Sequence, residues 1–378
     1  MTTRNILDIP AKLSELNDIF VSHGFELWFV GGCVRDALMG VSPKDIDLTT
    51  SATPEEQIAI YREYDLRYIE TGLQHGTVTV VLDGEPYEIT TYRIDRETNG
   101  RHATVEFTRS LHDDLFRRDL TINAIAMGFN GEIFDPFGGA NDAEQGIIRF
   151  VGNAADRIRE DYLRILRFFR FFGRISQGDI NAEAQNAIKS NRVGLKQISV
   201  ERVWAEMAKI VAGPNPDRVL EKMFDTGVLA EIGMIDLRID AMMVAHKVTR
   251  DPVILMTILL EKEVQNIYKA WKWSNEEKDR AVFVVRRAFD PYTVDMAKRD
   301  LFEGALLDIV ETVLRIQGQD ADKLSDWNIP VFPVTGEDMI KKGIRPGPEM
   351  GQLLRSMREE WIASDYSVDK VTLMSVLE

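Results

Sequence analysis

A single cysteine, Cys33, stands in the 378 residues. One thiol excludes an intrachain disulfide and any cysteine-based zinc site, and it fits a reducing compartment. Long apolar runs are also missing. The longest, Val253–Leu260, is interrupted by Thr257 and is far short of the ~18 residues of a membrane-spanning helix. Met1–Pro10 has no apolar stretch of the secretory kind, so no export signal is expected. Basic charge is scarce: 46 Lys and Arg face 61 Asp and Glu, a net charge of −15. That excludes a general basic coat for nucleic acid but leaves room for a local patch. The five histidines are scattered. The doublet His112-Asp113 has no further histidine at ligand spacing and reads as surface.

An apolar share of 44% and a charged share of 28% belong to a folded protein and exclude wholesale disorder. The length predicts two to three domains. Residues 1–150 alternate short β-like and helical runs. Leu27–Val30, Ile46–Leu48, Thr77–Leu82 and Tyr87–Tyr92 read as strands, bounded by Gly, Pro or Asp. Ser14–His23 and Pro54–Tyr64 read as helices, the second with Thr53 at the cap and Pro54 at its first position. Beyond about residue 150 the strand signals fade into helices: Ala154–Arg174, Ala182–Ser190, Val200–Val211, Pro216–Thr226, Val253–Leu260, Asn275–Ala288, Lys298–Ile316 and Glu349–Ser364. Breaks at Gly213–Pro216 and Pro330–Pro333 predict joints. The expected fold class is α+β, an α/β head with an all-helical arm behind it.

Four clusters carry chemistry. Gly31-Gly32-Cys33-Val34-Arg35-Asp36 follows a strand. Two glycines let backbone approach a ligand, and their N–H groups with Arg35 suit a phosphate; a bare turn is the plainer alternative. In Lys44-Asp45-Ile46-Asp47-Leu48, strand geometry would point Asp45 and Asp47 to one side. Two parallel carboxylates repel unless a cation sits between them, and Mg²⁺ is the hard, oxygen-seeking candidate. Arg117-Arg118-Asp119-Leu120-Thr121-Ile122-Asn123 could hold a triphosphate or a ribose; otherwise it is a capped helix with its arginines in solvent.

The fourth cluster runs from Glu160-Asp161 through Arg164, Arg167 and Arg170. Six arginines between Arg157 and Arg174 face two acids, Glu160 and Asp161, a local charge of +4. Asp161 and Arg164 stand three apart, so the bland reading is an intrahelical ion pair. The functional reading has a sharper content. Cytosine and adenine each present an amino donor beside a ring-nitrogen acceptor, whereas uracil and guanine present a carbonyl and an N–H. A fixed carboxylate beside a fixed guanidinium matches C and A and mismatches U and G.

In this order and spacing the clusters resemble the class II CCA-adding enzymes (tRNA nucleotidyltransferases) and their poly(A) polymerase relatives. Asp135-Pro136-Phe137-Gly138-Gly139 followed by Asp142 resembles the family's head–neck joint. Pro333–Asp338 and Gly343–Gly351 look like the tail of its mitochondrial and α-proteobacterial branch. Residues ~215–330 match the family only in helical character. The resemblance implies a polymerase-β-like nucleotidyltransferase head over residues 1–150, a base-recognising neck over 151–213, a helical body over 214–330 and a tail over 331–378 that binds the tRNA elbow. It implies Gly31, Gly32 and Arg35 against the triphosphate and Asp45 and Asp47 on Mg²⁺. It further implies Arg117, Arg118 and Asn123 at the nucleotide, Asp161 and Arg164 reading the base, and Arg167 and Arg170 on phosphate or RNA. Glu88 is a candidate third catalytic carboxylate, with a plain core-edge Glu as its equal alternative.

The implied reaction is two-metal nucleotidyl transfer, adding C, C and A to the tRNA 3′ end from CTP and ATP. The nucleophile belongs to the RNA. The expected partners are tRNA, ATP and CTP, with neither DNA nor membrane, in the cytoplasm or the mitochondrial matrix. The chief alternative is a poly(A) polymerase or a partial enzyme adding only CC or only A. The run Gly72–Thr77 and the Asp95–His102 loop look like the CCA-adding type. A non-catalytic relative would lack a metal aspartate, and a small-molecule nucleotidyltransferase would need no long arm. The acidic total predicts that RNA meets a basic strip along the neck and inner head.

Overall fold

A computed structural model describes residues 7–98 and 103–377. The head is built on a seven-stranded mixed sheet. Its strands are β1 (Leu27–Val30), β2 (Asp47–Thr50), β3 (Arg67–Gly72), β4 (Thr77–Leu82), β5 (Glu85–Thr91), β8 (Ala126–Met127) and β9 (Ile133–Phe134). Their order is β3-β4-β5-β2-β1-β8-β9. Strands β2 and β5 run parallel, with Asp47 opposite Glu88, and the other neighbours run antiparallel. A separate hairpin pairs β6 (Arg93–Thr98) with β7 (Ala103–Phe107). Of the expected Asp95–His102 loop, Asp95–Thr98 is strand, and residues 99–102 lie outside the described residues.

Period-two alternation divides the sheet's faces. Leu48, Ile89, Val78, Val80 and Phe29 point to an apolar side, where they bury against Leu13, Leu16 and Phe20 of α1 (Ala11–Ser22) and Ile60 and Tyr61 of α3 (Pro54–Glu63). The Thr53–Glu56 capping box fixes the start of α3, with Pro54 at its first position. The other face carries Asp47, Thr49, Glu88 and Thr90, so it is polar where β2 and β5 meet. Alternation and a Thr cap made β1, β4 and α3 readable. Strands β3 and β6–β9 escape that reading because their residues are polar or their runs are two residues long.

Helix α2 (Gly32–Leu38) follows β1, α4 (Leu111–Phe116) follows the hairpin, and α5 (Gly139–Gln145) closes the head. The expected single helix over 154–174 is two: α6 (Ala154–Glu160) and α7 (Leu163–Ile175). Asp161 breaks it. Its backbone is extended (φ −155°, ψ 105°), and its carboxylate accepts the Leu163 N–H at 3.1 Å, the local bond by which Asp competes with a helix. Phe168, Phe169 and Phe172 of α7 are fully buried. Helices α8 (Ala182–Asn191), α9 (Val200–Val211) and α10 (Pro216–Asp225) follow.

The contacts divide the chain into two compact units, one of residues 1–243 with 250–274 and one of 244–249 with 275–378. In the first, the strongly apolar helix Pro252–Leu260 is buried on every side. In the second, the expected helix over 298–316 is split into Val294–Phe302 and Leu307–Ile316, with Gly304 at φ +100° between them. That unit's core gathers Met339, Met350, Met357, Trp361 and Leu373. Among the described residues no helix is long and apolar enough to cross a membrane.

Candidate active site between head and neck

A cleft of about 670 Å³ opens where β1, β2 and β5 face α7 and α9. Seven arginines (35, 93, 117, 118, 164, 167 and 202) and three aspartates (47, 119 and 161) line it. A chain of net charge −15 thus builds a cleft with four more cations than anions, a local field suited to a polyanionic ligand.

Gly31 ends β1 at φ +73°. A Cβ there would come 2.9 Å from the mobile end of Arg118, Nη1, and the positive φ is what favours glycine. Its N–H donates to the Ile125 carbonyl at 2.9 Å. Gly31, Gly32 and Arg35 all line the cleft. Arg35 is 3% exposed. Its Nη1 donates to Asn123 Oδ1 at 2.5 Å and its Nε to Asp36 Oδ1 at 2.8 Å. Burial lowers its pKa against the opposing pull of Asp36.

Asp47 begins β2 and faces the cleft, but Asp45 lies in the bend before the strand rather than on it. The two remain within electrostatic reach. Burial raises the Asp47 pKa, Arg118 opposes the rise and Asp45 adds to it. Glu88 sits opposite Asp47 in register, exposed and outside the cleft lining. Among the described residues no three acidic, histidine or cysteine side chains cluster closely enough to hold a cation unaided. Two carboxylates alone leave most of a hard divalent cation's oxygen positions to water and other ligands.

Arg117 and Arg118 are not in solvent. Both reach the fully buried Asp114, Arg117 Nη2 at 2.8 Å and Arg118 Nη2 at 3.3 Å. Asp119 is buried and accepts from Arg167 Nε at 2.6 Å and from Asn123 Nδ2 at 3.1 Å.

The intrahelical ion pair of the bland reading, Asp161 with Arg164, is not formed. The helix break turns Asp161 into the cleft, where Arg202 Nη2 donates to its Oδ2 at 2.6 Å. Arg164 is held by Glu160 Oε2 at 2.6 Å, the Arg157 carbonyl at 3.1 Å and the Arg117 carbonyl at 3.0 Å. An arginine carries five N–H donors, more than three acceptors require. Both side chains line one cleft, each oriented by a third group.

Arg170 does not join them. It pairs with Glu206 at 3.1 Å and lies over the Phe171 ring, outside the cleft lining. The neck arginines of the strip expected along the neck and inner head are ion-paired. Arg157 and Arg164 pair with Glu160, Arg159 with Asp156, Arg167 with Asp119, Arg170 with Glu206 and Arg174 with Asp36. Sequence reasoning missed Arg93, Phe171 and Arg202 as lining residues. Arg202 carried a faint signal, a cation in the first turn of a helix whose apolar face, Val203, Met207 and Ile210, points elsewhere.

Known proteins resolve the family. Residues 27–149 match the poly A polymerase head domain, and residues 179–232 match the probable RNA and SrmB-binding site of polymerase A. The human mitochondrial CCA tRNA nucleotidyltransferase 1 is 39% identical over 97% of this chain and 89% of that protein. The chain belongs to the CCA-adding enzymes. A CCA-adding enzyme from Lactobacillus delbrueckii subsp. bulgaricus is 34% identical over the whole of both chains. The Bacillus stearothermophilus CCA-adding enzyme, crystallised with CTP, superposes with a TM-score of 0.80 at 30% identity, over 97% of this chain and 98% of that one. CCA-adding enzymes are nucleotidyltransferases that work with divalent cations.

Proposed function

We propose that this protein adds C, C and A in turn to the 3′ end of tRNA, using CTP and ATP and no nucleic-acid template. The observation that carries this reading is the cleft itself. It brings Asp47, seven arginines and the separately anchored carboxylate and guanidinium of Asp161 and Arg164 together. The family membership and the CTP bound by the Bacillus stearothermophilus enzyme support it.

Asp45 and Asp47 would hold Mg²⁺, with Glu88 in register as the nearest candidate for a third oxygen donor. When bound, one metal ion would lower the pKa of the RNA 3′-hydroxyl and a second would neutralise the pyrophosphate leaving group. The chain's own residues do the rest. Arg35 and Arg118 hold the triphosphate by charge and hydrogen bonds from fixed positions. Asp161 accepts from the amino group of the incoming base and Arg164 donates to its ring nitrogen. Because Arg202 and Glu160 fix these two side chains before the nucleotide arrives, the base is read by a rigid edge, as a template base would read it. No Ser, Cys or His nucleophile is required. We assign residues 1–150 as head, 151–213 as neck, 214–330 as body and 331–378 as tail. The tail helix that opens at Pro348, with Glu349 in its first turn, is assigned to the tRNA elbow.

Extension of tRNA transcripts lacking three, two or one of the terminal nucleotides, with each labelled nucleotide in turn, tests this. C should enter the first two and A the third, with no further growth. Repeated A addition would mean a poly(A) polymerase, and arrest after CC a partial enzyme.

A further inference from the structure

Arg174 lies outside the cleft lining with its side chain 47% exposed, yet it closes a ring of contacts that passes through the cleft. Helix α7 presents Arg167, Phe171 and Arg174 on one face, four and seven residues apart. Arg167 Nε donates to Asp119 Oδ2 at 2.6 Å. Asp119 Oδ1 accepts from Asn123 Nδ2 at 3.1 Å. Asn123 Oδ1 accepts from Arg35 Nη1 at 2.5 Å. Arg35 Nε donates to Asp36 Oδ1 at 2.8 Å, and Asp36 Oδ2 accepts from Arg174 Nη2 at 2.9 Å. Phe171 fills the ring, its centroid 4.9 Å from the Arg35 guanidinium carbon. The neck helix supplies both ends of the ring and the head supplies its middle.

The ring fixes Arg35 from two sides. Asp36 holds one edge of its guanidinium, through Nε and Nη2, and Asn123 holds Nη1. Asp36 in turn keeps its own orientation because its second oxygen is tied to Arg174. The ring also carries three cations and two anions, so its net charge is positive toward the cleft. Without Arg174 the ring is neutral, and Asp36 is free to rotate and draw Arg35 away from Asn123.

We propose that Arg174 and Asp36 are positioning residues for nucleotide binding, aiming Arg35 at the incoming triphosphate only while the neck helix grips the head. This rests on the assignment of Arg35 to the triphosphate. Since C and A addition share the triphosphate, the effect should be blind to the base, unlike any effect at Asp161 or Arg164.

The test is steady-state kinetics and direct CTP binding with Arg174→Ala, Arg174→Lys and Asp36→Asn in the full chain. Arg174→Ala should raise KM for CTP and ATP by the same factor, roughly tenfold, the scale on which outer partners of a binding group act. Turnover at saturating nucleotide and KM for tRNA should change little. Arg174→Lys should recover most of the loss, and Asp36→Asn should shift KM in the same direction if Arg174→Ala does not fold. An unchanged KM for both nucleotides with only a lowered melting temperature would overturn the proposal, leaving a structural clip. A shift confined to one nucleotide would overturn it too. If the unaltered protein fails to extend tRNA but its CTP binding weakens on Arg174→Ala, the functional reading falls and the positioning role stands.

Discussion

Arg202 donates to the Asp161 carboxylate at 2.6 Å, across 41 residues of sequence, while Arg164, three residues from Asp161, turns to Glu160. Two neighbours that sequence would pair with each other are thus each held by a different partner, and both line the same cleft. An intrahelical pair would have spent the carboxylate on the guanidinium. The extended backbone at Asp161 is what separates them.

Asp45→Ala or Asp47→Ala should abolish addition of both C and A while leaving tRNA binding nearly intact. Neither side chain has a charged partner that the fold depends on; Asp45 is exposed, and Asp47 sits at the exposed start of β2. Single-turnover extension alongside a tRNA-binding titration checks this, and near-normal turnover in either variant would remove the metal assignment.

Arg167→Ala should act chiefly on stability. Its loss removes the ion-pair partner, the only one among the described residues, of the buried Asp119. Stranding a buried charge in this way costs about 3–5 kcal/mol. Arg159→Ala, whose partner Asp156 is exposed, should change stability little. Denaturant unfolding of the two variants measures the contrast. From sequence, Arg167 and Arg170 read as RNA contacts whose removal would flatten the salt dependence of tRNA binding; the ion pairs make loss of fold the larger effect.

Much of the fold was legible because its signals are local. Strands β1 and β4 and helix α9 fall at their expected residues, since β-branched or aromatic runs bounded by turn residues, or a 3.6-residue apolar period, define each. The site was legible as motifs: Gly32, Arg35, Asp47, Arg118, Asn123, Asp161 and Arg164 all line one cleft. What sequence could not supply is who pairs with whom. Asp36 with Arg174 spans 138 residues and Asp119 with Arg167 spans 48, and nothing local marks either. The same blindness made one helix of 154–174, because Asp161 is an ordinary helix residue until its carboxylate finds the Leu163 N–H and Arg202.

Asp114 sets a pH dependence. It is fully buried, and burial pushes its carboxyl up, but Arg118 and Arg117 outweigh that and hold it below the usual carboxylate range. A carboxyl lowered in the folded state stabilises the fold above its unfolded pKa, about 3.9 for aspartate. That stability is lost as pH falls through the lower folded value. Asp114→Asn should therefore be less stable than the unaltered protein at neutral pH, with a gap that narrows below about pH 4. Unfolding free energies from pH 7 to pH 3 give the comparison; a gap that does not change with pH would contradict it.

The central claim is that protein side chains, not a nucleic-acid template, choose the base. Competition among the four nucleotides on a tRNA ending in its second C tests it most directly, with Asp161→Ala and Arg164→Ala beside the unaltered protein. A bidentate base contact is worth roughly 1–3 kcal/mol of discrimination. The unaltered protein should incorporate A alone, and each variant should begin to accept U or G while still catalysing transfer, because the aspartates and the triphosphate arginines remain. If both variants stay strictly specific for ATP and lose only thermal stability, Asp161 and Arg164 do not read the base.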